Sequence, residues 1–99
     1  CIEDWLHMSQ GQDALISKLV LDVLKPHHPS IIELGRALGR LKGVEQVNIL
    51  LREVDVNTET VKITLEGRGI NYKEVDEVIS RFGAAIHSVD EVALMSVRD

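Results

Sequence analysis

The sequence predicts an α+β domain with the element order βαββαβ: a four-stranded antiparallel sheet with two helices on one face. Three observations lead there. Aliphatic and polar residues alternate, with the period of a strand, in four separate stretches. Two other stretches repeat apolar residues three and four apart, each behind a side chain able to cap a helix. Only a short polar turn separates the two middle strand patterns, which makes them a hairpin.

In the first strand, within residues 15–24, Leu19, Leu21 and Val23 alternate against Lys18, Val20 and Asp22. Lys25-Pro26-His27-His28-Pro29 stops it, because proline donates no ladder hydrogen bond. Ser30, three residues before Glu33, opens a helix whose apolar stripe is Ile31, Leu34, Leu38 and Leu41, and Gly43 ends it. Residues 44–56 read as a strand, with Val47, Ile49 and Leu51 on one side and Asn48, Leu50 and Arg52 on the other. Asn57-Thr58-Glu59-Thr60 is the turn, and Val61-Lys62-Ile63-Thr64-Leu65-Glu66 returns from it, closed by Gly67 and Gly69. Asn71 caps a second helix with the stripe Val75, Val78, Ile79 and Phe82, which Gly83 terminates. Residues 85–94 make the last strand.

This is the split-βαβ, ferredoxin-like arrangement, in which the first strand is central and pairs with the last. Leu19, Leu21, Val23, Val47, Ile49, Leu51, Val61, Ile63 and Leu65 are expected to face the helices. The other sheet face is then bare and carries Lys18, Val20, Asp22, Leu50, Arg52, Lys62 and Glu66. Residues 14–95 form the single domain, 96–99 a frayed tail and 1–13 a flexible lead. His7-Met8 matches what a cloning site leaves before a start codon, so residues 1–7 read as vector-derived.

Apolar residues make up 44% of the 99 and charged residues 27%, ordinary for a folded globular chain. With 16 acidic against 11 basic residues the net charge is −5, which argues against nucleic acid and anionic membranes as partners. No apolar run approaches the roughly 20 residues that span a bilayer. A single cysteine at position 1 gives neither a disulfide nor a thiolate metal set. With no cationic and apolar leader pattern, the reading is cytoplasmic.

Several motifs also resemble one archaeal family. These are Leu19-Val20-Leu21-Asp22-Val23-Leu24-Lys25-Pro26-His27, Gly43-Val44 with Val47-Asn48-Ile49, Val61-Lys62-Ile63-Thr64, and above all Ile86-His87-Ser88-Val89-Asp90-Glu91-Val92. In that order, over roughly residues 14–95, they resemble domain of unknown function 211. The resemblance implies a ferredoxin-like fold, a cytoplasmic archaeal protein and a homo-oligomer. It implies no activity and carries over no catalytic residue. His28 departs from the family pattern, where an acidic residue is usual, and so does Ala84-Ala85, where glycine and an aliphatic are usual.

The richest polar group is Asp22, His27, His28, His87, Asp90 and Glu91, which strand pairing gathers near the end of the first strand. Imidazole with carboxylate suits a first-row divalent metal and equally suits acid–base work near neutral pH. The plainer reading is a structural Asp22–His87 pair with solvated loop histidines. In the hairpin, Asp55-x-Asn57-x-Glu59, with Glu66 twelfth, echoes a calcium loop, yet Thr60 stands where that loop needs glycine. These oxygens could hold calcium or magnesium weakly, or simply build the turn. Gly35-x-x-x-Gly39 lets another backbone approach the first helix, either the second helix or another subunit.

Other uses of this topology lack their residues. There is no Cys-x-x-Cys for metal transfer, no cluster cysteines, no aromatic on the middle strands for RNA, and no arginine in the 25–30 loop for phosphate. The expected function is therefore a non-enzymatic, self-associating binding or regulatory module, with Val20, Leu50, Arg52 and Lys62 as its interface. The alternatives are a divalent-cation binding protein or a small-molecule effector-sensing domain. No cofactor is expected beyond that cation.

Overall fold

Alternation builds the sheet from its centre outward. In the computed structural model, which describes residues 14–96, β1 (Ala14–Pro26) is followed by α1 (Ile31–Gly39), β2 (Val44–Val54), β3 (Thr58–Gly67), α2 (Tyr72–Arg81) and β4 (Ala85–Ser96). The sheet order is β2-β3-β1-β4, and every neighbouring pair is antiparallel. The predicted ferredoxin-like α+β fold is the one found.

The register sets Leu19, Leu21 and Val23 of β1 opposite Leu65, Ile63 and Val61 of β3. All six are buried, together with Leu34 and Leu38 of α1 and Val75, Val78 and Ile79 of α2. Full burial of each such side chain contributes roughly 1.5–3 kcal/mol, so this cluster is the main source of stability. Val47 and Ile49 pack partly against it. Leu51 does not, and is 42% exposed. At 1.5 Å per residue the nine-residue α1 spans only about 14 Å, whereas the eleven residues of β2 span about 37 Å, so the helix runs out before Leu51.

Both caps form as their sequences predict. Ser30 Oγ accepts from the Glu33 N–H at 3.4 Å, and Asn71 Oδ1 accepts from the Glu74 N–H at 3.2 Å. The first helix ends at Gly39 rather than Gly43. Beyond it the chain tightens, with Arg40 N–H donating to Ala37 O and Leu41 N–H to Leu38 O, before Gly43 turns at φ +92° into β2. The hairpin turn also lies earlier than expected. The Asp55 N–H donates to Thr58 O at 2.8 Å, and Thr58 and Thr60 belong to β3, where β-branched residues sit well. Gly35 and Gly39 face Val47 and Ile49 of the sheet, not α2, with ordinary van der Waals space beside them.

On the uncovered face, Leu50 is 55% exposed and Arg52 is exposed. Val20, expected beside them as an interface residue, is only 4% exposed. It sits mid-sheet between Thr64 and Glu91 and offers a partner little surface. No described helix is long and apolar enough to cross a membrane.

Candidate functional site

The polar residues expected to form one site are divided among separate local interactions. Asp22 lies opposite Ser88, and His87 falls in the register shift between the Asp22–Ser88 and Val23–Ile86 pairs. Asp22 and His87 nevertheless border one shallow recess, with Glu53 and Thr60. Asp22 and Asp90 border a second, of about 480 Å³, with Arg52, Glu53 and Thr60. Asp90 accepts a hydrogen bond from Ser88 Oγ at 2.7 Å, and Glu91 lies 3.6 Å from Lys18 at the surface. His28 is exposed. Among the described residues, no three His, Cys, Asp or Glu side chains converge in a way that could hold a metal ion.

The hairpin acids are likewise engaged. Asp55 Oδ1 accepts from the Val56 N–H at 2.8 Å, as turn chemistry requires. Glu59 points away from the turn, toward β1.

There it meets the one feature that residue spacing had left unassigned. Lys25 continues the inward row Leu19, Leu21, Val23, and strand alternation drives it into the core side, where it is 1% exposed. Its Nζ donates to Pro26 O at 2.7 Å, to Glu59 Oε1 at 3.0 Å and to His27 O at 3.5 Å. The register makes the partnership direct, since Lys25 and Glu59 are opposite residues on β1 and β3. His27 completes it: Nδ1 donates to Glu59 Oε2 at 3.1 Å and Nε2 to Val56 O at 3.0 Å. Both ring nitrogens face acceptors, a geometry that only the protonated imidazole satisfies fully. Among the described residues no buried side-chain nitrogen or oxygen lacks a partner. The signal was present in the alternation: a lysine at an inward position needs a counter-charge across the strand. Thus His27 and Glu59, expected at two different cation sites, bind each other.

The electrostatics follow from that geometry. The Glu59 carboxylate, and then the Val56 carbonyl, hold the His27 imidazole above its ordinary pKa of 6.5. Hydrogen bonds from His27 and then Lys25 hold Glu59 below its ordinary 4.5. A raised imidazole stabilises the fold fully below pH 6.5, and that contribution fades as pH rises through the folded value. A depressed carboxylate stabilises above pH 4.5, and its contribution fades as pH falls through the folded value. The contribution of this clamp to the melting temperature is therefore expected to be greatest between pH 4.5 and 6.5. In His27→Gln the alkaline decline should flatten. A decline identical to that of the unaltered chain would show that His27 does not titrate with folding.

Chemically the clamp ties the loop after β1 to the β2–β3 turn. The Lys25 side chain is fully covered, so its amine is not open to a substrate. The most polar open recess is the one bordered by Asp22, Glu53, Thr60 and Asp90 beside Arg52.

The fold and these residues can be set beside known proteins. A protein from Methanocaldococcus jannaschii described as "Uncharacterized protein MJ0319" is 44% identical over 77 residues, covering 78% of this chain and 79% of its own. The model of a family described as DUF211, "Uncharacterized ArCR", matches residues 17–96, which takes in both helices and nearly all of the sheet. The chain belongs to the DUF211 family.

Proposed function

We propose that the chain is a non-enzymatic, self-associating binding or regulatory module. One observation carries this reading. Helices of nine and ten residues lie on strands of ten to thirteen, and large apolar side chains are left in solvent both beyond the helices and on the uncovered face. Leu50, Leu51 and Val54 on β2 are 42–64% exposed, and Val89, Val92, Leu94 and Met95 on β4 are 41–61% exposed. Single exposed aliphatics are commonplace, but rows of them on both outer strands mark surface that association removes from water.

Native mass spectrometry of tag-free protein, purified without chelator, tests the proposal. A discrete oligomer is the expected result, and a bare monomer at micromolar concentration would overturn it. If the uncovered face is the contact, Leu50→Asp should dissolve the oligomer. The divalent-cation reading, on Asp22 with His87 and Asp90, keeps only the recesses that Asp22 shares with each of them. Nickel, zinc and calcium are expected to leave the melting temperature unchanged. A rise that grows with ion concentration would favour the cation reading instead.

A further inference from the structure

Among the described residues both edges of the sheet are bare: β2 pairs only with β3 and β4 only with β1, and the other elements touching these two strands are α1 and α2. The edges are eleven and twelve residues long and contain neither proline nor lysine, the residues that usually blunt such edges. Residues 46–51 of β2 and 92–96 of β4 carry no charge at all.

The two edges also match each other. β2 and β1 are both antiparallel to β3, while β4 is antiparallel to β1. A second copy set alongside in the same orientation therefore brings its β2 antiparallel to the first copy's β4, and the sheet continues unbroken. The apolar rows fall on one side of that continued sheet. Val89, Val92 and Leu94 lie opposite Leu21, Leu19 and Ile16, which places them on the helix-bearing side. They are 47%, 48% and 61% exposed. On the same side of β2 stand Val47, Ile49 and Leu51, and a mainly apolar recess of about 350 Å³ lies between Val47 and Ile49 and the α1 residues Ile31, Ile32, Gly35 and Arg36. Ile32 is 65% exposed beside it.

We infer that copies of this chain join head to tail, the β4 edge of one pairing antiparallel with the β2 edge of the next. Val89, Val92 and Leu94 then cover the neighbour's α1–β2 recess. Eleven paired residues at about 3.4 Å each, across a molecule 20 Å thick, give a seam of roughly 700 Å² per partner. A stable interface buries about 800 Å² per partner, so the seam is of the right size. Because the two surfaces differ, the contact repeats from copy to copy and closes into a ring where the rotation allows. This inference rests on the self-association proposed above and names its surface, which is distinct from the uncovered sheet face.

Two double variants, with changes confined to exposed side chains, test it by native mass spectrometry and circular dichroism. Val92→Lys with Leu94→Lys disables the β4 edge, and Ile32→Lys with Leu51→Lys disables the β2 side. Each alone is expected to fall to the mass of a single chain. Mixed in equal amounts they should form a heterodimer and nothing larger, since one intact β4 edge then meets one intact β2 edge. Recovery of that heterodimer also shows that the variants are folded. Monomers that fail to combine, although circular dichroism shows them folded, would overturn the inference. If both variants keep the oligomer and Leu50→Asp dissolves it, self-association stands and the edge contact falls. Should either double variant prove unfolded, Val92→Lys alone replaces the β4 variant and Ile32→Lys alone the β2 variant, with the same outcomes. A monomeric unaltered chain overturns both.

Discussion

Glu59→Ala is expected to be among the most damaging single changes outside the apolar core. Lys25 is 1% exposed, and Glu59 supplies its only counter-charge in the clamp. Without Glu59 the Lys25 ammonium keeps two backbone carbonyls but no charge partner, and a buried cation left in that state costs about 3–5 kcal/mol. For a domain of this size that corresponds to a melting temperature lowered by about 15–25 °C. Lys25→Met, which removes the cation and keeps a long apolar side chain in its place, should cost much less. Placed in the Glu59→Ala background it should restore most of the loss. Thermal melts of the two single variants and the double at pH 5.5 check this. A Glu59→Ala protein that melts within about 2 °C of the unaltered chain would show that the pair carries little of the stability.

Gly67→Ala should be comparably severe for a different reason. A methyl group there would collide with Gly43 O and lie 2.8 Å from Glu45 N, both backbone atoms. No side-chain rotation can relieve that contact. The β2 and β3 ends must part, taking with them the 2.8 Å hydrogen bond from the Arg68 N–H to Gly43 O. Overpacking against backbone and the lost hydrogen bond together cost about 3 kcal/mol. Gly35→Ala is the contrasting case. Its added carbon would rest 3.5 Å from Ile49 Cδ1, an ordinary contact. Removing glycine from the helix interior is then expected to stabilise by up to about 1 kcal/mol. Equal effects from the two substitutions, read by chemical denaturation, would contradict the close backbone approach at Gly67.

The contrast between the two glycines shows how far local pattern reaches. Gly35-x-x-x-Gly39 stands out as a motif and proves to face the sheet with room to spare. Gly67 reads only as the end of a strand, yet another segment's backbone lies where its side chain would be. Spacing along the chain says nothing of what a distant segment places in that volume. The candidate site teaches the same lesson. Asp22, His87 and Asp90 are brought to the same end of β1 and β4, as the strand pairing implied, but the register shifts at His87 and Asp90 keep them from converging. Such shifts depend on how two long strands accommodate their twist and leave no mark in residue type.

Element order, both helix caps, the inward rows of β1 and β3 and the central position of β1 were all legible in the amino-acid sequence. Each follows from periodicity or capping, which act over a few residues and need no knowledge of the rest of the chain. The tertiary structure alone decided the early end of α1, the burial of Val20, the exposure of Leu51 and the joining of His27 to Glu59. Those outcomes depend on relative lengths and on register between segments some thirty residues apart. A helix of nine residues cannot cover a strand of eleven, and a lysine forced inward takes the carboxylate that the opposite strand presents.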